Sequence, residues 1–305
     1  MAKVPVRKTI LFSYGFTFGN IGAIIGQIWL PVLLLTLGSY YVLSPYYETM
    51  SRALAEDNAA LMGQASVGML FYLVASLILY AMIYVAVTRA ALGLAPRKAF
   101  LNLSLGIAEW RMYGALLSFG LVMALLLLMI SLGAGLIGGI VLGLFGVTAG
   151  SSAAAVSANP VVASVGGMIS LIIVCATLYV FVRLYVLLAP VTVAEERISL
   201  GRGWQLTAHN FWRLFAVLLA VLGPVMLVIA LCEVALLGSE AIIPNSAATA
   251  AQTAARMDAM RSQLPLLHVL SFVFSPLLFG LQLAASAFVY RTLVPPGGER
   301  PASEA

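Results

Sequence analysis

The stretch EERISLGRGWQLTAHNFWRLF, Glu195 to Phe215, is the most polar and aromatic run in a chain that is otherwise apolar. Long apolar blocks flank it, Val165–Leu188 before and Leu214–Leu237 after. At about 100° per residue, Leu200, Trp204, Ala208, Phe211 and Phe215 share one side of a helix. Arg202, Gln205, His209 and Arg213 share the other. That pattern predicts a helix lying in the headgroup plane, apolar side down and cations toward phosphate. With Trp212 beside them, Arg202, Trp204, His209, Phe211 and Arg213 form the candidate interfacial set. Ile198, Leu206, Gly201 and Gly203 interrupt the pattern, so its first turn is expected to fray.

Composition agrees with a membrane-surface helix between crossings. The chain has 305 residues, 62% hydrophobic and 9% charged, with a mean hydropathy of +1.06. A soluble domain carries about a quarter charged residues, so most of this surface must face lipid. The net charge of +5 does not point to nucleic acid, because the basic residues punctuate the ends of apolar segments. Cys175 and Cys232 sit inside apolar runs and read as small hydrophobes, giving no disulfide framework. The start MAKVPVRKTI lacks a small-x-small cleavage pattern, so the first span is expected to stay as an uncleaved anchor.

A crossing helix needs about 20 apolar residues. Six segments qualify: Ile21–Leu43, Ser66–Leu92, Tyr113–Val147, Val165–Leu188, Leu214–Leu237 and Leu266–Thr292. The third is too long for an upright span and must tilt, extend past the membrane, or break in its glycine-rich half. Six crossings put both termini on one side. That side collects thirteen of the sixteen Lys and Arg residues, leaving Arg52, Arg256 and Arg261 opposite. The bias predicts cytoplasmic termini.

An internal repeat accompanies the spans. The second ends with Arg89 seven residues before Pro96, the fourth with Arg183 seven before Pro190, and the sixth with Arg291 before Pro295. Tyr14–Asn20 (YGFTFGN) aligns without gaps on Trp204–Asn210 (WQLTAHN), and Trp110-Arg111 matches Trp212-Arg213. The unit is an interfacial segment followed by two spans. Residues 1–305 then form one membrane domain, with repeats over 7–94, 95–190 and 191–294 and a disordered cytoplasmic tail over 295–305. Interfacial placement is extended from the third copy to Arg7–Asn20 and Arg97–Tyr113.

The block Arg183–Leu219 combines an arginine in a span, an Ala-Pro, the acidic pair Glu195-Glu196 and a Trp-x-Leu-Thr…Asn-Phe-Trp-Arg run. It resembles the bacterial six-span membrane domain associated with glycerophosphoryl diester phosphodiesterases and related inner-membrane proteins. The resemblance implies a bacterial inner-membrane location. Some members carry a phosphodiesterase domain after the membrane part. This chain stops at Ala305 without one, so no such activity is implied.

Arg89, Arg183 and Arg291 fit two readings. Each reaches headgroup phosphates by snorkelling, or the three gather about a pseudo-threefold centre as an anion or lipid-headgroup site. Glu195 and Glu196 read as a solvated acidic pair. Glu233 and His268 fall near the outer interface, where they form a proton-sensitive pair or are simply tolerated. Gly135, Gly139 and Gly143, like Gly22 and Gly26, recur every four residues, a spacing for close helix packing within the bundle or between protomers. The other reading of these glycines is a broken helix around a transport site. No Walker A loop, metal-spaced His/Cys/Asp cluster or GxSxG is present, so neither catalytic residues nor metal or cofactor are expected.

The expectation is an all-α polytopic protein of six transmembrane helices in three repeats. It acts without catalysis, as a scaffold or accessory subunit binding lipids or a larger membrane complex. Its partners are membrane lipids, other membrane proteins or a second copy. The alternative is a transporter or lipid-handling protein that engages a phosphate-bearing or anionic substrate.

Overall fold

The structure, a computed structural model, describes residues 3–56, 58–94, 103, 105–144, 160–237 and 250–294. Among them are nine helices and no strand: α1 Val6–Gly19, α2 Ile21–Ala55, α3 Ala59–Ala91, α4 Ile107–Leu144, α5 Pro160–Tyr185, α6 Leu188–Ala194, α7 Leu200–Leu206, α8 Phe211–Leu237 and α9 Ala250–Leu293. Six stretches are long and apolar enough to cross a membrane, and each contains one of the six expected spans in whole or large part. The protein is therefore a multi-pass membrane protein.

Several helices outrun their apolar cores. α9 has 44 residues, about 66 Å of helix against about 30 Å of hydrocarbon, and α2 has 35. Their surplus lies at the end away from the N-terminus. There Glu48 of α2 pairs with Arg52 of its own helix (3.3 Å) and Arg261 of α9 (2.7 Å). α4 runs unbroken from Ile107 to Leu144, so the third span does not break at its glycines over these residues.

Helix ends follow ordinary capping chemistry. The Asn58 side chain accepts from the backbone of Ala60 and Leu61 to start α3. α3 ends in a Schellman turn: Leu94 N–H donates to Arg89 and Gly93 N–H to Ala90, with Gly93 at φ 70°. Glu109 reaches back to the Gly106 N–H at 2.9 Å to start α4.

The core sits at the end that carries the N-terminus, here the basal end. α3 is buried from Ala81 to Val85 and again at Val87, Thr88 and Ala91, enclosed by α2, α4, α6 and α9. Lipid is as apolar as leucine, so association in the membrane relies on close van der Waals contact rather than on excluding water. Small residues supply it: Ala91, Ala284 and Ala287 meet between α3 and α9. Gly280 lets α1 and α2 approach α9 so closely that an added Cβ would stand 2.7 Å from Thr17 Cγ2 and 3.2 Å from Ile24 Cδ1. The far halves of α4 and α5 are open by contrast, with Leu128, Leu132, Leu136, Met168 and Leu171 exposed.

The structure corrects two expectations about the polar segments. The helix expected through Trp204 and Arg213 is broken: α7 stops at Leu206 and α8 begins at Phe211, with His209 between them at φ 64°. The Thr207 hydroxyl lies 2.8 Å from the Gly203 carbonyl and 3.1 Å from that of Arg183, which ties the turn to α5. The first copy does not lie across helix ends either. α1 runs beside α8 and α9, and Tyr14 reaches Ala220, nine residues or about 14 Å into α8. The second copy falls in part on residues 97–102 and 104, outside the described ones, where the tail 295–305 and the loops 145–159 and 238–249 also lie.

Candidate functional site

Arg183 ends α5 and is 8% exposed. Its guanidinium lies over the Trp204 ring at 3.7 Å, donates from Nη2 to the Trp204 carbonyl at 2.6 Å and from Nη1 to the Tyr179 hydroxyl at 2.9 Å. Phe211 packs on Tyr179 with centroids 4.8 Å apart. Trp204 and Phe211, two members of the apolar side of the quoted stretch, thus face α5. A planar cation between an indole and a phenol is held by ring quadrupoles as well as hydrogen bonds.

Glu195 is the second node. Its side chain is 13% exposed, so it is not the solvated acid expected. Arg197 donates to it at 2.7 and 2.9 Å, Arg202 at 3.3 Å and the Tyr290 hydroxyl of α9 at 3.3 Å. Glu196, at φ 52°, takes Arg111 of α4 at 3.0 Å. The acidic pair therefore ties the α6–α7 link to α4 and α9. Arg213 donates to the Val4 carbonyl, and Asn210 accepts from the Val4 N–H, pinning the start of the chain.

Sequence reasoning missed a third node. Tyr84 of α3 shares a short hydrogen bond with Tyr185 at the end of α5, and Gln282 of α9 donates to Tyr84 at 3.2 Å. Phe279 and Phe119 surround the pair edge-on or tilted. One polar residue comes from each even-numbered span. Isolated tyrosines in apolar runs gave no pattern to find.

Arg89 and Arg291 differ from Arg183. Arg89 is half-buried and its Nε is buried without a hydrogen-bond partner. Arg291 is exposed, and its Nη2 stands 3.3 Å from where a Cβ on Gly93 would lie. The two converge on the end of α3, while the donors of Arg183 are engaged at α7. Trp110 and Trp212, in the first turns of α4 and α8, point outward at 51% and 75% exposure, as interfacial tryptophans do.

The remaining candidates lie apart from these nodes. His268 Nδ1 sits 2.7 Å from the Leu264 carbonyl of its own helix and its ring is edge-on to Tyr40, and no hydrogen bond joins it to Glu233. A Cβ on Gly22, Gly26, Gly135, Gly139 or Gly143 would meet nothing within 4 Å, so these glycines make no close packing among the described residues. Cys175 and Cys232 are free thiols. No group of three His, Cys, Asp or Glu suited to a metal occurs among the described residues. Comparison with protein-family models, curated proteins and solved structures returned no match.

Proposed function

We propose that the protein is a non-enzymatic scaffold or accessory subunit of a bacterial inner membrane, with the basal end facing the cytoplasm. The observation that carries the reading is a division along the bundle. At the basal end Arg183, Glu195, Tyr84, Tyr185 and Gln282 bind helices to one another, which fixes a shape. Beyond it, α4 and α5 turn leucines, methionines and the open glycines outward. A glycine stripe on a lipid-facing helix suits the backbone of another helix, from a partner or a second copy. The likeness of Arg183–Leu219 to the six-span family belongs to the same reading.

Cysteine placed at Gly139, with Cys175→Ser and Cys232→Ser, tests it by oxidative cross-linking in native membranes. A discrete adduct is expected; its absence, with Leu128→Cys behaving identically, would remove the scaffold reading. A cysteine at Gln205 should be labelled only after the membrane is permeabilised, in keeping with the charge bias. The lipid-handling alternative is favoured by one observation, that Arg89 and Arg291 have no partner among the described residues, which is developed next.

A further inference from the structure

Three helix ends meet at the basal end. Leu92, just after α3, and Phe12 and Phe16 of α1 pack against Ala91, Ala284 and Ala287, and Leu92, Val6, Ile10 and Leu293 all pack on the cluster that holds Ala285 and Val289 of α9. Phe12 lies on Phe288 with centroids 4.9 Å apart. This convergence places Arg7 and Lys8, in the first turn of α1, at the same end as Arg89 in the last turn of α3 and Arg291 in the last turn of α9. None of the four has a hydrogen bond or ion pair among the described residues. The nearby acids are engaged, Glu195 by Arg197, Arg202 and Tyr290, and Glu196 by Arg111.

Four like charges at one end repel one another and attract a counter-charge. The helix dipoles do not supply it. Two C-termini contribute about −0.5 each and the α1 N-terminus about +0.5, leaving roughly −0.5 against four cations. The Schellman turn has already closed the last carbonyls of α3 with the N–H groups of Gly93 and Leu94. Arg89 carries a further cost, because a buried guanidinium nitrogen without an acceptor is destabilising.

We propose that Arg89 and Arg291, with Arg7 and Lys8 around them, bind a phosphate anion, as the headgroup of an anionic lipid or as a soluble phosphate ester. The planar fork of arginine suits two phosphate oxygens at once, and the Nε of Arg89 is one tine of that fork. Apolar α1, which stands beside α8 and α9 with Leu11 and Phe18 exposed, offers acyl chains a wall next to the charges. The site goes beyond the scaffold reading and does not depend on cross-linking at Gly139.

The test uses the full-length protein in zwitterionic detergent, titrated with phosphatidylglycerol, phosphatidylcholine or inorganic phosphate and read by tryptophan fluorescence and native mass spectrometry. Phosphatidylglycerol should bind at least tenfold more tightly than phosphatidylcholine. Arg89→Gln with Arg291→Gln should abolish the preference, and Arg111→Gln, a cation already paired, should keep it. Arg89→Lys with Arg291→Lys keeps the charge without the fork and should weaken binding several-fold, which covers a poorly folding double variant. Competition by millimolar inorganic phosphate assigns the site to soluble esters; its failure assigns it to lipid. Equal binding of the two lipids, or an unchanged preference in both double variants, overturns the proposal. So does a preference that emerges only with Glu299→Gln, which would make the chain's own tail the occupant.

Discussion

The guanidinium carbon of Arg183 rests 3.7 Å from the centroid of the Trp204 ring, and its Nη2 donates at 2.6 Å to the carbonyl of that same residue. One arginine thus holds both faces of α7, ring and backbone, against the end of α5. Removal of the side chain would leave the Trp204 carbonyl and the buried Thr207 hydroxyl without this donor. Arg183→Ala is expected to lower stability by roughly 2–4 kcal/mol, from the cation–π contact and the charge-assisted hydrogen bonds together. Arg183→Lys should recover only part of it. Denaturant unfolding in detergent, followed by tryptophan fluorescence, measures both; equal stability of wild type and Arg183→Ala would contradict the assignment.

Tyr14 and Pro224 form a coupled pair without touching directly. Proline lacks an N–H, so the Ala220 carbonyl four residues earlier loses its helical donor. The Tyr14 hydroxyl, 3.2 Å from the carbonyls of Ala220 and Val221, supplies the missing hydrogen. Tyr14→Phe should cost about 1 kcal/mol, and much less once Pro224→Ala has restored the helical bond. A double-mutant cycle reads the difference; strictly additive effects would refute the pairing.

Adjacent acids should behave differently. Glu195→Gln breaks contacts from Arg197, Arg202 and Tyr290 on a side chain that is 13% exposed. Glu196→Gln loses one contact from a side chain 73% exposed. Hydrogen exchange across residues 195–206 should accelerate several-fold in the first variant and hardly change in the second, since exposed pairs contribute about 0–1 kcal/mol.

Two glycine substitutions should also part company. Gly280→Ala places a methyl group 2.7 Å from Thr17 and should destabilise by about 1–3 kcal/mol as α1 is forced away from α9. Gly135→Ala meets open space and should leave the isolated chain as stable or slightly more so. Thermal melting of the two variants in the same detergent decides it. Should Gly135→Ala weaken association instead, the glycine face has found its partner.

The crossings were legible because hydropathy is a sum over neighbours along the chain, and each apolar block reports on itself. The quoted stretch separates two spans, as its polarity predicts, but its apolar side is shared with another helix. A helical projection ranks side chains by angle; it cannot say whether the apolar side meets lipid tails or Tyr179 of another helix. The break at Thr207–His209 was equally hidden, because the carbonyl that helps hold Thr207 belongs to Arg183, 24 residues away.

The amino-acid sequence by itself determined the class of the molecule, the number of its apolar crossings and the place of each arginine at a span end. Only the tertiary structure decided which arginine is engaged among the described residues and which is not. Arg89, Arg183 and Arg291 look alike along the chain, yet Trp204 covers one while Arg89 and Arg291 come together at the end of α3. The physical reason is that solvation and charge compensation are set by neighbours in space, and in a bundle such as this those neighbours come from helices up to about two hundred residues apart, as Val4 and Asn210 are.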